Sequence, residues 1–307
     1  MTGLFTFGET MGLVAADGIG LLDHVSSFRY TIGGAESNVA VGVARLGGTA
    51  TWLGRVGQDA TGDLIERRLR AEGVRTIAIR DESFTGLMVR YRRTGEQTHV
   101  DYHRAGSAGS RLQPSDLPGD LTEADILHVT GITPALSDSA RVTVFQAVEQ
   151  ARAAGVTVSV DVNYRAKLWS RFDAAPVLRD LVSRADVAFA GPAEAALFLG
   201  DEEPVAGLAA LGPAEVVVKD GARGCAALVD GKRYEVPALP VTVVDPVGAG
   251  DAFVAGYLAD RMAGATPSAR LRTAIATGAF AVTVPGDCEG LPRRAELAYP
   301  SGDDVLR

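Results

Sequence analysis

The chain has 307 residues, of which 47% are hydrophobic, enough for a large core in one α/β domain with an appendage. Its formal net charge of −8 argues against nucleic acid or an anionic membrane as the main partner. No apolar run approaches the roughly 20 residues that cross a bilayer, and the N-terminus lacks a signal-peptide pattern. The two cysteines, Cys225 and Cys288, stand far apart, which indicates reduced thiols and a cytoplasmic protein.

The first part of the chain predicts a strand, a helix and a second strand. Residues 1–10 (MTGLFTFGET) are the first predicted buried strand. Residues 33–38 (GGAESN) precede a helix pattern that ends at the glycine pair 47–48, and the apolar residues 50–56 predict the next strand. Small and polar side chains at 33–38 suit close approach by a hydroxyl-rich ligand, although an ordinary turn packed on a helix would have the same pattern.

A different pattern follows near residue 90. Residues 84–93 and 97–104 alternate apolar and polar side chains, as at Leu87 and Tyr91. Residues 94–96 (TGE) would form the turn between them. This part of the chain therefore predicts an antiparallel hairpin with two different faces.

From residue 126 onward, short apolar runs alternate with helix patterns. The strand candidates are residues 126–129, 156–160, 187–190 and 216–218, and the helical stretches include residues 137–154 and 174–184. Such alternation is typical of strand–helix units, and it predicts a parallel sheet covered by helices on both faces.

Residues 245–253 read DPVGAGDAF and stand directly before a long apolar helix pattern. The amides of Gly248, Ala249 and Gly250 would lie at the positive end of that helix, where an anion is stabilised. Asp251 places a carboxylate beside this anion site, which suits transfer of a phosphoryl group to an alcohol. An ordinary loop with an N-capping Asp251 is the alternative interpretation.

Taken together, residues 33–62 and 245–253 resemble the two signatures of the ribokinase-like (PfkB-type) carbohydrate kinases. The resemblance covers essentially the whole chain, with two departures. Pro246 stands where Thr is commoner, and Gly191 replaces the Asn of the family's Asn-x-x-Glu motif, whose Glu is Glu194 here.

The resemblance implies an α/β fold, a ribokinase-like three-layer α/β/α arrangement with a mostly parallel sheet and a small β lid. The chain would be a single domain over 1–307, with the lid built from about 13–30 and 84–105. ATP and Mg²⁺ would be the cofactors, together with a monovalent cation such as K⁺.

Three local features bear on the sugar: residues 161–165 (DVNYR), residues 102–108 (YHRAGSA) and Asp287. Arg104 and Arg165 would flank the sugar, and a guanidinium pairs bidentately with a carboxylate. This set resembles the 2-keto-3-deoxygluconate kinases, which implies ATP-dependent phosphorylation of the terminal 6-hydroxyl of a 2-keto-3-deoxy sugar acid.

Alternatives stay open. Fructokinases share the features around Arg165, so a fructokinase or a ribokinase on the same scaffold would fit, as would a non-catalytic sugar- or nucleotide-binding regulator, although a regulator has no need of Asp251. Arg104 could be a solvated strand residue beside Arg90, Arg92 and Arg93, and Arg165 could merely cover Trp169. Glu194 could be a solvent-facing carboxylate in the first turn of a helix.

The expected site residues divide by role. Catalysis is assigned to Asp251, Gly248, Ala249 and Gly250. The sugar acid is assigned to Gly33, Gly34, Asn38, Tyr91, Tyr102, Arg104, Arg165, Asp251 and Asp287. ATP is assigned to Asn163, Arg165, Lys219, Gly221, Gly224, Gly248 and Gly250. Glu194 is assigned indirectly to Mg²⁺, and Asp245 and Val247 to the monovalent cation. The expected partners are the sugar acid and ATP, with no nucleic acid and no membrane. The exposed edge of the lid suggests a homodimer or higher homo-oligomer.

Overall fold

A nine-stranded, mostly parallel sheet forms the centre of the computed structural model, which describes residues 3–94 and 97–298. Its strands are β1 (Leu4–Phe7), β4 (Ala50–Gly57), β5 (Arg75–Asp81), β8 (Ile126–Thr130), β9 (Thr157–Asp161), β10 (Val187–Ala190), β11 (Glu215–Lys219), β12 (Cys225–Val229) and β13 (Lys232–Val236). The spatial order is β13-β12-β11-β10-β9-β8-β1-β4-β5, and only the pairings of β12 with its two neighbours are antiparallel.

Helices cover both faces of this sheet. They are α1 (Ala35–Arg45), α2 (Ala60–Ala71), α3 (Asp138–Ala153), α4 (Arg171–Ser183), α5 (Pro192–Leu199), α6 (Pro204–Ala210), α7 (Ala249–Met262) and α8 (Pro267–Ala281). Helices α1, α2, α7 and α8 share one apolar core with the sheet, and α3 to α6 share a second core on the other face. Parallel strands buried on both faces explain why β8 to β11 read as continuous apolar runs.

A second, four-stranded sheet forms the lid. Its strands are β2 (Met11–Ile19), β3 (Phe28–Gly33), β6 (Leu87–Arg92) and β7 (Thr98–His103), in the order β3-β2-β6-β7. The hairpin predicted near residue 90 is the antiparallel pair β6–β7, and its predicted turn residues Gly95 and Glu96 lie outside the described residues.

The fold class predicted from the sequence is therefore confirmed, a three-layer α/β/α arrangement with a β lid. The element boundaries differ by a few residues, because helix ends are set by capping and not by the apolar pattern alone. None of the described helices is both long and apolar enough to cross a bilayer.

Candidate active site

The site lies at the carboxyl ends of the parallel strands, between the main sheet and the lid. β1 lies between β4 and β8. The chain first continues from β1 to β4 and β5 at one edge of the sheet, and later adds β8 and the following strands on the other side of β1. Such a reversal opens a crevice beyond the strand ends, where ligands bind in open α/β sheets.

The anion loop, defined as residues 245–250, leads into α7. Gly248 is the N-cap residue of α7, with a φ of 79° that favours glycine. A Cβ at Gly248 would stand 2.2 Å from the carbonyl oxygen of Asp287, so a larger residue would displace the loop. The Asp245 carboxylate accepts hydrogen bonds from the amides of Val247 and Gly286, both at 3.2 Å. Asp245 therefore ties the anion loop, just ahead of the α7 N-terminus, to the segment that carries Gly286.

Asp251 lies in the first turn of α7 and is buried. Its carboxylate accepts hydrogen bonds from Asn38 Nδ2 at 2.8 Å and from Asn163 Nδ2 at 3.3 Å. Burial raises the pKa of Asp251, and the Asn38 hydrogen bond and the Arg165 charge oppose this. The capping interpretation of Asp251 is wrong, because Gly248 occupies the N-cap position.

Asn163 owes its position to an unusual backbone. It follows β9 with a φ of 36°, in the left-handed region that Asn tolerates better than most residues. This turn brings its side chain back to Asp251. The site therefore joins α1, the end of β9 and α7 around one carboxylate.

Lys219, at the end of β11, supplies positive charge to the anion loop. Its Nζ donates to both oxygens of Asp161, at 2.7 and 2.8 Å. A Cβ at Gly250 would stand 3.4 Å from this Nζ, so the ammonium lies beside the loop backbone. Burial lowers the pKa of Lys219, but the nearby charges of Asp161, Glu194 and Asp251 outweigh it and leave the pKa above its ordinary value.

Arg104 is nearly buried at the end of β7. Its Nε donates to Glu9 Oε2 at 2.7 Å, and its Nη2 contacts the same oxygen. Its guanidinium also lies 5.5 Å from the centre of the Tyr102 ring. The solvated interpretation of Arg104 is therefore wrong, as it is for Arg90, which is also buried.

The Arg104–Glu9 pair carries a stability prediction. Arg104→Gln leaves the buried Glu9 carboxylate without its charged partner, and we expect a loss of about 3–5 kcal/mol in the free energy of unfolding, measured by urea denaturation. Arg29→Gln is the matched control in the lid, because its pair with Asp17 is exposed and should contribute less than about 1 kcal/mol. The double variant Glu9→Gln/Arg104→Gln should recover part of the loss. Equal, small losses for Arg104→Gln and Arg29→Gln would contradict this prediction.

Arg165 is exposed, and its side chain makes no hydrogen bond or ion pair within the described part of the chain. Arg141, and not Arg165, lies over the ring of Trp169, 5.8 Å from its centre. Two residues further on, Lys167 Nζ donates to the lid carbonyl of Val100 at 2.6 Å and lies 5.6 Å from the centre of the Tyr102 ring. The loop after β9 thus brings Lys167 to the edge of the lid, whereas the charge of Arg165 acts on Asp251.

The lid strands turn one face to the main sheet. On β6, Met88 and Arg90 are buried, and Met88 is paired in register with Tyr102 of β7. Tyr91 has the opposite orientation and stacks on His99 with ring centres 5.0 Å apart. The structure therefore brings Tyr102 to the crevice, whereas Tyr91 stands on the other face of the lid.

Gly33, the last residue of the lid strand β3, lies against Asp287 of the main body. A Cβ at Gly33 would stand 2.3 Å from Asp287 Oδ2 and 2.4 Å from the Met88 methyl group. Gly34 is the N-cap residue of α1, where a Cβ would stand 2.6 Å from the carbonyl oxygen of Glu9. Both glycines thus lie where bare backbone is required.

The remaining residues predicted to bind ATP lie at the turn after β11. Gly221 and Gly224 flank the turn after β11, both with positive φ, and a Cβ at Gly224 would stand 2.1 Å from the Val236 carbonyl oxygen. Gly224 is therefore required by packing. Near the predicted cation site, the Val282 carbonyl accepts from the amides of Val244 and Asp245, at 2.8 and 3.1 Å.

Glu194 is a partly buried carboxylate in the first turn of α5. It accepts hydrogen bonds from the amides of Tyr164 at 3.0 Å and Gly191 at 2.6 Å, and so it links the loop after β9 to the start of α5. Among the described residues no group of three His, Cys, Asp or Glu side chains could hold a metal directly. A magnesium ion here would be held by nucleotide phosphates and water, with Glu194 orienting the water.

Glu194→Gln is expected to raise the Mg²⁺ concentration for half-maximal rate by about tenfold or more, as loss of an outer-shell ligand does. Glu203→Gln is the control, because Glu203 also caps a helix N-terminus, as the N-cap residue of α6 that accepts from the Ala206 amide at 2.7 Å. A magnesium titration that is the same for both variants and the wild type would leave Glu194 as a helix cap only.

Several residues of the site were missed by sequence reasoning. They are Glu9, Met88 and Arg90, together with the exposed apolar side chains Leu239, Val241, Val243 and Val244 ahead of the anion loop, whereas Glu36 belongs to the predicted segment 33–38. Glu36 is buried and accepts from Thr130 and Thr133, at 2.7 and 2.6 Å. The period-two alternation of β6 could have identified Met88 and Arg90 as sharing a face. No local signal pairs Glu9 with Arg104, 95 residues away.

Comparison with known proteins agrees with this geometry. Residues 1–294 match the family described as pfkB family carbohydrate kinase. A 2-dehydro-3-deoxygluconokinase of Bacillus subtilis is 37% identical, covering 95% of this chain and 93% of that protein. A fructokinase of Klebsiella pneumoniae is 38% identical, covering 86% and 90%. The structure of a putative ribokinase II from Escherichia coli in complex with ATP and Mg²⁺ has a TM-score of 0.90 and 27% identity, covering 97% of this chain and 98% of that one.

The family match over nearly the whole chain, together with an anion loop, a buried carboxylate and a lid at the carboxyl ends of the strands, shows that this chain belongs to the PfkB family of carbohydrate kinases.

Proposed function

We propose that this carbohydrate kinase transfers the γ-phosphoryl group of ATP to the 6-hydroxyl of 2-keto-3-deoxygluconate. The observation that carries the substrate assignment is the cluster of cations at the edge of the lid. Arg104 and Lys167 both lie within 5.6 Å of the Tyr102 ring centre, and the unpaired Arg165 is on the same loop as Lys167. Glu9 offsets part of this charge. The positive charge that is left favours an acidic sugar over a neutral one.

Asp251 is the proposed general base. It takes the proton of the sugar hydroxyl as the oxygen attacks the γ-phosphorus, so that the new O–P bond forms while the bond to the ADP oxygen breaks. The amides of 248–250 and the Lys219 ammonium would stabilise negative charge on the transferring group. Asn38 and Asn163 orient the base through the hydrogen bonds described above. Bound Mg²⁺ would neutralise charge on the ATP phosphates.

An exposed apolar surface ahead of the anion loop is the proposed binding surface for the nucleotide. Leu239, Val241 and Val243 are between 41% and 59% exposed and precede the anion loop directly. Exposed apolar side chains grouped beside a polar site commonly mark a ligand surface, and here they suit a flat nucleobase. Gly221 and Gly224 would border the same nucleotide, and Asp245 and Val247 would lie near the K⁺ ion.

A fructokinase is the second candidate, favoured by the fructokinase relative, whose identity of 38% is close to the 37% of the 2-dehydro-3-deoxygluconokinase although it covers 86% and not 95% of this chain. Fructose has no carboxylate, so it would leave Arg165 without a charged partner. A non-catalytic regulator is disfavoured because both of these relatives are named as kinases. We also propose a cytoplasmic homodimer, since both cysteines are free and buried and the lid exposes Ile19, Phe28 and Tyr30.

The assignment is tested by a coupled ADP-release assay with Mg²⁺-ATP over acidic and neutral sugars. The panel contains 2-keto-3-deoxygluconate, its galactonate epimer, fructose and ribose. We expect kcat/KM for a keto-deoxy acid to exceed that for either neutral sugar. A preference for fructose would assign the protein as a fructokinase, and no turnover of any of these sugars would overturn the substrate class.

A further inference from the structure

Arg90 is a lid side chain buried against the main sheet. It lies on β6 and is 5% exposed. Its Nη1 donates to Asp287 Oδ1 at 2.6 Å, and its Nη2 lies 3.2 Å from Asp245 Oδ2. One guanidinium of the lid thus joins two carboxylates that belong to two separate loops of the main body.

Both of these loops build the anion site. Asp245 holds the amides of Val247 and Gly286, so its carboxylate ties the anion loop to the segment before Asp287. The carbonyl of Asp287 lies where a Cβ at Gly248 would clash, so the position of Asp287 limits the position of the helix N-cap. A shift of either carboxylate would move the amides at the start of α7.

The loop that carries Asp287 is held from two sides. From the main body, Arg45 of α1 donates to the carbonyls of Cys288 at 3.0 Å and Leu291 at 2.6 Å. From the lid, Thr31 of β3 donates to Glu289, whose other oxygen accepts from the Asp287 amide at 2.9 Å. The contacts to α1 do not depend on the lid, whereas those of Arg90 and Thr31 do.

The contacts of Arg90 differ from the others because Arg90 brings a positive charge to two buried carboxylates. Asp245 and Asp287 are both buried, and burial raises the pKa of Asp287 to about 6, against the lowering effect of Arg90. Without Arg90, and before the proposed monovalent cation binds beside Asp245, two buried carboxylates would face a site that has to accept a polyphosphate. Unpaired charges of one sign in a buried site are strongly unfavourable, so the loops would rearrange or the anion would bind weakly.

We propose that Arg90 is a positioning residue that couples the lid to the phosphate site, by holding Asp245 and Asp287 where the amides of 248–250 face the transferring phosphoryl group. This inference rests on the proposed kinase reaction. A sugar that binds under the lid then raises the affinity for nucleotide, and nucleotide raises the affinity for sugar by the same factor.

The test measures this coupling in Arg90→Gln. The dissociation constant of Mg²⁺–adenylyl imidodiphosphate is determined with and without a saturating sugar, using the sugar that the wild type phosphorylates fastest. We expect the wild-type coupling to lie in the usual range of about 5- to 150-fold. It should fall to about 1 in Arg90→Gln, even if the affinity for sugar alone also changes through Asp287.

Two further variants separate positioning from damage. Arg90→Lys should recover part of the coupling, because an ammonium can pair with one of the two carboxylates but lacks the planar fork. Arg93→Gln is the matched control, since Arg93 follows β6 on the exposed side of the lid and should behave as the wild type does. In a double-mutant cycle, Arg90→Gln and Asp245→Asn should have non-additive effects on kcat.

Hydrogen–deuterium exchange keeps the test independent of the sugar. In the protein without ligands, the amides of 245–250 should exchange faster in Arg90→Gln than in Arg93→Gln. If wild-type exchange and wild-type coupling persist in folded Arg90→Gln, the proposal is overturned. Loss of sugar affinity with wild-type coupling and wild-type exchange would also overturn it, because Arg90 would then act only on the sugar, either directly or through Asp287. If no sugar of the panel reacts with the wild type, the proposed function fails, and the exchange comparison still decides the role of Arg90.

Discussion

Replacing Asp251 by Asn is expected to lower kcat by a factor on the order of 10²–10⁴, the usual contribution of a positioned general base. The amide keeps the size of the carboxylate and can still accept a hydrogen bond from Asn38 or Asn163, so the dissociation constants for ATP and sugar should change little. Steady-state kinetics and equilibrium binding on the same preparation give the two quantities separately.

The pH dependence sharpens this prediction. Asp251 accepts a proton only when it is ionised, and burial raises its pKa. Turnover by the wild type should therefore fall as the pH falls through that raised pKa. In Asp251→Asn, the residual turnover should not show the fall at low pH that we assign to protonation of Asp251.

Asp173→Asn is the matched control for Asp251. Asp173 occupies the same position in the first turn of α4, where its amide is bonded to the N-cap residue Ser170 at 3.2 Å. Its replacement removes the same favourable interaction with a helix dipole but no proposed base. Wild-type turnover in Asp251→Asn, or equal losses in the two variants, would show that Asp251 is only a helix-terminal carboxylate.

Arg165→Gln is expected to weaken binding of 2-keto-3-deoxygluconate by about 2–5 kcal/mol, because the sugar carboxylate would lose its charged partner. Arg165 is exposed and has no partner among the described residues, so we expect the unfolding free energy to change little. The measurement is KM for the acidic sugar and for fructose on the same variant. Any effect of Arg165 on ATP appears with both sugars and cancels in their ratio.

Arg171→Gln serves as the control for Arg165. Arg171 is an exposed arginine at the start of α4, six positions further along the chain. Its replacement by Gln removes the same charge from the neighbouring surface. We expect its ratio of KM values to match that of the wild type. An equal rise in KM for acidic and neutral sugars in Arg165→Gln would contradict carboxylate recognition and favour a role toward ATP.

By itself, the sequence determined the layered α/β fold, the two glycine-rich segments and the position of Asp251 relative to the anion loop. These features are local: an apolar period, a helix start and a run of small residues can be read within about ten positions.

Only the tertiary structure decided the partners of the charged residues. Arg90, Arg92, Arg93 and Arg104 look alike in the sequence, yet Arg90 is buried against Asp245 and Asp287, Arg104 is paired with Glu9, and Arg93 is exposed. These pairs join residues 95 to 197 positions apart. The energy of an ion pair depends on distance and burial, and both are set by how the lid packs on the main sheet, which no local pattern records.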